Sequence, residues 1–136
     1  MYNLFHDNAL VIKFNYICHK HSTMNFQTIQ NKLSAVIKCN VEKLTALNAP
    51  ELKGELMILN KNGVNSIILD LSSTKDCDSS GLSSILIGNR LCKDTNGKFI
   101  LCGLQPTVLK VIQIAQLDKV LILSENQEEA LKAIEM

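Results

Sequence analysis

The chain has 136 residues, 46% of them hydrophobic, which suits one compact domain with a single core and leaves little room for a second. Lys and Arg number 14 against 13 Asp and Glu, a formal net charge of +1, so no global field directs the chain to nucleic acid, an anionic membrane or an acidic substrate. The five cysteines are odd in number, and no apolar run approaches the roughly 20 residues of a membrane span, which together predict free thiols in a reducing, cytoplasmic compartment and no membrane insertion.

Residues 1–23 fit the rhythm of the rest poorly and read as an atypical N-terminal extension. Either the true start is Met24, or this stretch adds a strand over residues 9–18 carried by Val11, Ile12, Phe14, Tyr16 and Ile17. Cys18, His19 and His21 crowd three potential ligands together with no second cluster at zinc-site spacing, so no metal or other cofactor is expected. Apolar runs over 26–29 and 34–39, joined by the polar turn Gln30-Asn31-Lys32, predict a hairpin. Asn48-Ala49-Pro50-Glu51 predicts a helix start: Asn48 can accept from first-turn amides, Pro50 needs no amide partner, and Glu51 can fold back as a capping box. Leu52, Leu56 and Leu59 follow on one face, Asn62-Gly63 supplies the stop, and the unbroken apolar run over 67–71 predicts a strand covered on both faces.

A helix over 80–93, a strand over 98–102 and a helix opened by Pro106 with Val108, Leu109, Val111 and Ile112 continue the alternation. A strand over 120–123 then runs into Ser124-Glu125-Asn126-Gln127, a capping box for a last helix carrying Ala130, Leu131 and Ile134. Strand after helix after strand makes the fold class α/β, with a mostly parallel, mixed sheet of about five strands, about four helices and right-handed crossovers, in one domain over 24–136.

The most informative stretch is Ile67-Ile68-Leu69-Asp70-Leu71-Ser72-Ser73, followed by Asp76-Cys77-Asp78-Ser79-Ser80-Gly81-Leu82. A buried strand emerges into a polar loop that feeds a helix, at the carboxyl end of the sheet where open α/β folds present their working groups. Ser79 should sit there with an exposed, N-cap-like hydroxyl, and Ser80 should turn more into the helix. Taken alone, Asp-Ser-Ser-Gly is an ordinary way to begin a helix.

Wider context adds Leu44-Thr45-Ala46-Leu47-Asn48-Ala49-Pro50-Glu51-Leu52, Gly97-Lys98-Phe99-Ile100-Leu101-Cys102-Gly103, Leu117-Asp118-Lys119-Val120 and Glu128-Glu129-Ala130-Leu131. In order, spacing and residue type these segments resemble the STAS family (sulfate transporter and anti-sigma factor antagonist) over nearly all of 24–136. The resemblance to its stand-alone regulators implies an anti-sigma factor antagonist that works by partner switching. It would bind an anti-sigma factor that is also a serine kinase, leave it once phosphorylated, and be reset by a serine phosphatase. The phosphorylated residue is then Ser79, with Ser80 as the alternative, and partner contact falls on Thr45, Asn48, Asp76, Asp78, Ser79, Ser80, Gly81 and Leu82. Where the family often has Gly-x-Leu-Asp before the first helix, this chain has Glu42-Lys43-Leu44-Thr45. An acidic residue is therefore missing beside the phosphorylation loop. The alternative within the same family is a STAS subunit of a membrane lipid-transport ATPase or of a multi-component stress-signalling complex.

Catalysis is not expected. His6, His19 and His21 all precede Met24, and the Gly-x-Ser-x-Gly elbow of serine hydrolases is absent. Cys77 adjoins Asp78, whose charge disfavours a thiolate, so it reads as a packing residue, and Cys92 and Cys102 as core thiols. No Gly-rich loop is built to cradle a nucleotide phosphate, and no direct binding of nucleic acid is expected. Gly81 and Gly88 should allow close approach, by a partner at the first and by the sheet at the second.

Overall fold

In the computed structural model, which describes residues 19–22 and 25–135, the apolar runs fold as the alternation predicts. Strands β1 (His19–Ser22), β2 (Phe26–Gln30) and β3 (Ser34–Cys39) are followed by the short β4 (Lys43–Leu44) and helix α1 (Ala49–Lys61). Strand β5 (Ser66–Asp70), the short β6 (Asp76–Cys77) and helix α2 (Ser79–Asp94) come next. Strand β7 (Phe99–Cys102), helix α3 (Pro106–Ile114), a 3-10 turn (Leu117–Lys119), β8 (Ile122–Ser124) and helix α4 (Gln127–Glu135) complete the order. The expected strand at residues 9–18 lies outside the described residues.

The main sheet runs β1-β2-β3-β5-β7-β8. β1–β2 and β2–β3 are antiparallel, and β3–β5, β5–β7 and β7–β8 are parallel, so the expected mixed α/β sheet is present with β1 added at one edge. Beside it, β4 and β6 form a two-stranded parallel ladder pairing Lys43 with Asp76 and Leu44 with Cys77.

Period-two alternation divides the core between two faces. Ile67 and Leu69 face the larger side with Ala35, Ile37, Phe99 and Leu101, under Leu52, Leu56 and Leu59 of α1, Ile85 and Cys92 of α2, and Val108 and Ile112 of α3. Ile68 faces the other side with Val36, Ile100 and Cys102, under Ala130 of α4. All of β5 is buried, which is why its sequence is an apolar run rather than an alternation. Gly88 lets α2 lie directly on the sheet, since a Cβ there would come within 2.6 Å of the Phe99 ring. Gly63 takes φ +95 as the left-handed stop after α1.

Three local expectations are corrected. The last strand begins at Ile122, not at residue 120: Gln116 takes φ +61, residues 117–119 close a 3-10 turn, and the Leu121 amide donates to the Leu117 carbonyl at 2.9 Å, which holds Val120 out of the sheet. The cap of α4 is Asn126, whose Oδ1 accepts from the Glu129 amide at 2.9 Å, so Ser124 and Gln127 form no capping box. Gln127 is buried instead and donates through Nε2 to Asp70 Oδ2. Asn48 makes no side-chain cap to α1. Its Oδ1 accepts from the Thr45 amide at 2.9 Å and its Nδ2 donates to the Lys43 carbonyl at 2.9 Å, which braces the preceding loop, while Glu51 Oε1 accepts from Asn25 Nδ2 at 2.8 Å.

Candidate functional site

Strand β5 delivers the chain to the carboxyl edge of the sheet, and the loop after it is fixed from both ends. Asp70 Oδ1 accepts from the Ser72 amide at 2.9 Å, and Gln105 Nε2 donates to the Ser72 carbonyl at 2.6 Å. Thr74, fully buried, donates through its hydroxyl to the Val41 carbonyl at 2.8 Å. The Glu42 carbonyl then accepts from the amides of Lys75 at 2.7 Å and Asp76 at 3.2 Å, and the Leu44 carbonyl from Asp78 at 3.1 Å. The segment before α1 and the segment before α2 are thereby held edge to edge.

Helix α2 starts where that ladder ends. Its N-cap is Asp78, in extended backbone, with Oδ1 accepting from the Gly81 amide at 3.0 Å. Ser79 is therefore the first helical residue and not a cap-like hydroxyl as its sequence context suggests. It remains exposed, and among the described residues its hydroxyl has no hydrogen-bond partner. Ser80 is half-buried, whereas Ser84 is buried and donates to the Gly81 carbonyl at 2.7 Å. Asp76 and Asp78 both precede Ser79 on the chain and are both exposed. Replacing Asp78 with Ala is expected to cost about 1 kcal/mol, read as a lower denaturant midpoint at unchanged slope, because the Gly81 amide loses its partner. An unchanged midpoint would show that Asp78 does not secure the helix start.

Gly81 is corrected from a point of partner approach to a point of internal contact. It is buried, and a Cβ there would meet both Cys77 Sγ and the Leu44 carbonyl oxygen at 2.6 Å. Leu82 is half-buried against the core, Thr45 and Asn48 are half-buried in the neighbouring loop, and Asp76, Asp78, Ser79 and Ser80 form the more open part of the surface. Between the starts of α1 and α2 lies a shallow groove of about 360 Å³ lined by Ala46, Pro50, Lys53, Ser80, Ser83 and Ile87, among others. A larger recess of about 630 Å³ lies at Gly103, Gln105 and Leu123 and does not include Ser79.

Leu47 was missed by the sequence reading. At 95% exposure it projects from the loop braced by Asn48, an apolar side chain beside a polar surface. Its signal was a leucine outside the helical period of Leu52, Leu56 and Leu59. Thr74 and Gln105 were missed as well, because what they do is set by the distant backbone they reach.

Burial disfavours the thiolate at each of the described cysteines. Cys39, Cys77, Cys92 and Cys102 are buried and unpaired by disulfide. Burial, followed by the charges of Asp78 and Asp76, pushes Cys77 up to about 12, and burial takes Cys92 to about 12 as well. A thiol whose folded pKa is raised contributes stability that is complete below its ordinary value near 9.0 and is lost as pH rises toward 12. The urea midpoint is therefore expected to fall between about pH 9 and about pH 11, with a shallower fall in Cys77→Ala. Identical slopes in the two proteins would remove Cys77 from this account. Among the described residues there is no cluster of three or more His, Cys, Asp or Glu fit to hold a metal, and no helix is long and apolar enough to cross a membrane.

The comparisons with known proteins agree on one family. BtrV of Bordetella bronchiseptica, a candidate anti-sigma factor antagonist, is 26% identical over 98 residues, covering 72% of this chain and 84% of BtrV. An anti-sigma factor antagonist (STAS) domain protein from Planctomyces limnophilus superposes with TM-score 0.74 at 20% identity, covering 82% of this chain and 98% of its own. The Bacillus cell fate determinant SpoIIAA in its phosphorylated form superposes with TM-score 0.64 at 22% identity, covering 79% and 98%. At these identities the two structures speak for the fold. The STAS domain model matches residues 24–130, a span that takes in the hairpin, the loop carrying Ser79 and the start of the last helix, and the chain belongs to the STAS domain family.

Proposed function

We propose that this chain is an anti-sigma factor antagonist whose choice of partner is set by phosphorylation of Ser79. The observation that carries the reading is the Ser79 hydroxyl, exposed, without a partner among the described residues, and presented at the first position of α2. A kinase needs such a hydroxyl, and Ser80, half-buried at the groove, offers a poorer one. BtrV, a candidate antagonist, supports the general role, and SpoIIAA supports it by having been solved both unphosphorylated and phosphorylated.

The unmodified surface is small and neutral at Ser79, and a partner packs against it. Phosphorylation adds about −1.5 to −2 charge there. Within the free protein the positive end of α2 offsets roughly 0.3 to 1 kcal/mol of that addition, and Asp76 and Asp78 oppose the gain. The fold is left in place while the surface becomes more strongly negative. The partner is an anti-sigma factor with serine kinase activity, a serine phosphatase reverses the mark, and the chain acts in the cytoplasm by binding, not by catalysis.

The test is intact mass and site mapping on protein purified from its native host, with and without phosphatase. Phosphate on Ser79 that disappears on treatment supports the reading. Phosphate on Ser80 alone keeps the switch and moves its site. No phosphate under several growth conditions, with co-purification of transporter subunits, overturns the reading.

A further inference from the structure

The loop before α1 holds its leucine out in water under restraint. Leu47, at 95% exposure, is the most open large apolar side chain among the described residues. The turn that carries it is tied at several points. The Asn48 amide donates to the Thr45 carbonyl at 3.1 Å, the Leu47 amide donates to Thr45 Oγ1 at 3.3 Å, and the Asn48 side chain bonds the Thr45 amide and the Lys43 carbonyl. Exposure of this side chain does nothing for the free protein, whereas a partner that buries it gains apolar contact and has little loop motion left to freeze.

On either side of Leu47 the chain meets the groove between α1 and α2. Ala46 and Ala49 line it together with Ser80, Ser83 and Ile87, and Lys53 is the single charged residue of its lining. Lys53 is exposed and forms no ion pair among the described residues. Three and four positions from it on α1 stand Ala49, Pro50, Leu56 and Met57, so no helical neighbour neutralises it. The acids nearest in sequence point to other partners: Glu51 Oε1 accepts from Asn25 and Glu55 Oε2 from the Thr28 hydroxyl. Ser79 lies four residues before Ser83 on α2, and residues so spaced share a helix face, so the groove opens beside the acceptor hydroxyl. The surface carries two signs, with Asp76 and Asp78 before the serine and the Lys53 ammonium beyond it.

We propose that the groove and Leu47 form the docking half of this surface, occupied by the serine-kinase partner through an apolar pocket that takes Leu47 and a carboxylate that meets Lys53. Given the partner-switching role of Ser79, on which this assignment rests, the surface divides its labour. Leu47 and Lys53 set how firmly the kinase is held, and Ser79 sets whether it is released. A phosphate at Ser79 adds charge to the acidic side and leaves Leu47 and Lys53 unchanged. The groove, shallow at about 360 Å³, fits the face of a protein and not an enclosed small molecule.

Initial rates of phosphorylation test this, measured on the purified full chain with native-host extract and labelled ATP over a range of chain concentrations, the site being confirmed by mass mapping. Leu47→Ser and Lys53→Glu are each expected to raise the apparent KM about tenfold while the limiting rate stays within about twofold. Leu47→Met should keep KM within about threefold of the wild type, because an apolar side chain of similar volume still fills the pocket. The wild-type KM should rise with salt, and the rise should flatten in Lys53→Gln. Circular dichroism melts confirm that each variant is folded. A KM unchanged by Leu47→Ser or by Lys53→Glu overturns the docking assignment while leaving the phosphorylated serine in place. A limiting rate that falls at unchanged KM overturns it as well, since the residues would then act on transfer and not on holding. No phosphate on Ser79 or Ser80 of the wild type removes the partner-switching reading itself, and the docking half with it.

Discussion

If the proposed serine-kinase partner covers this surface, Ser79→Glu is expected to bind it about a hundredfold more weakly than the unmodified protein, while Ser79→Ala binds normally and takes no phosphate. The direction follows from the position of the side chain. Ser79 is the exposed first residue of α2, between Asp76 and Asp78 on one side and the groove at Ser80 on the other. A partner that covers this surface must dehydrate whatever stands at residue 79. A hydroxyl is readily accommodated, but an uncompensated carboxylate costs about 3 kcal/mol or more, and about 1.4 kcal/mol is a factor of ten. Titration calorimetry with the kinase captured from the host measures the effect directly. Equal affinity for Ser79→Glu and wild type would place the partner elsewhere on the molecule.

The second large effect concerns the contact on which α2 rests. Phe99 is buried in β7, and its ring occupies the space that a side chain at position 88 would need. Phe99→Ala is expected to destabilise the fold by about 3–5 kcal/mol, a large fraction of the total for a domain of this size. Gly88→Ala should also destabilise, because its Cβ would come within 2.6 Å of the ring and 3.2 Å of Leu56. The two losses should not add: in the Phe99→Ala background the ring is gone, and Gly88→Ala should cost less than it does alone. Denaturant melts of the four proteins give the coupling. Strict additivity would mean that α2 does not rest on Phe99 through Gly88.

What was legible in the sequence was whatever follows from period and burial. The apolar run over 67–71, the leucines at 52, 56 and 59 and the Asn62-Gly63 stop each carry their structural meaning locally, and the structure honours them. The start of α2 was legible too, though not which residue caps it. Asp78 and Ser79 are both good caps, and the choice falls to Asp78 because the β4–β6 ladder fixes its backbone in an extended conformation. The helix starts at Asn48 and Gln127 show the same lesson. Each polar side chain had a local cap available and was drawn elsewhere, Asn48 to the Thr45–Lys43 loop just before it and Gln127 to the distant Asp70. Residues 120–123 misled because Val120 and Leu121 are apolar in a 3-10 exit as well as in a strand. Of the site, Ser79 and its acidic neighbours were visible as a motif. Leu47, Thr74 and Gln105 were not, since exposure and long-range hydrogen bonds have no one-dimensional signature.

The ladder between β4 and β6 has a practical consequence for anyone seeking to imitate or block this surface. Thr45, Leu47 and Asn48 come from one stretch of chain and Asp76 to Ser80 from another, and the carbonyls of Glu42 and Leu44 hold the two together. The surface around Ser79 is therefore discontinuous in sequence. A linear peptide copied from residues 72–84 would carry the serine but neither the neighbouring loop with its exposed leucine nor the backbone that sets its angle, so a useful mimic must graft both segments onto one rigid frame.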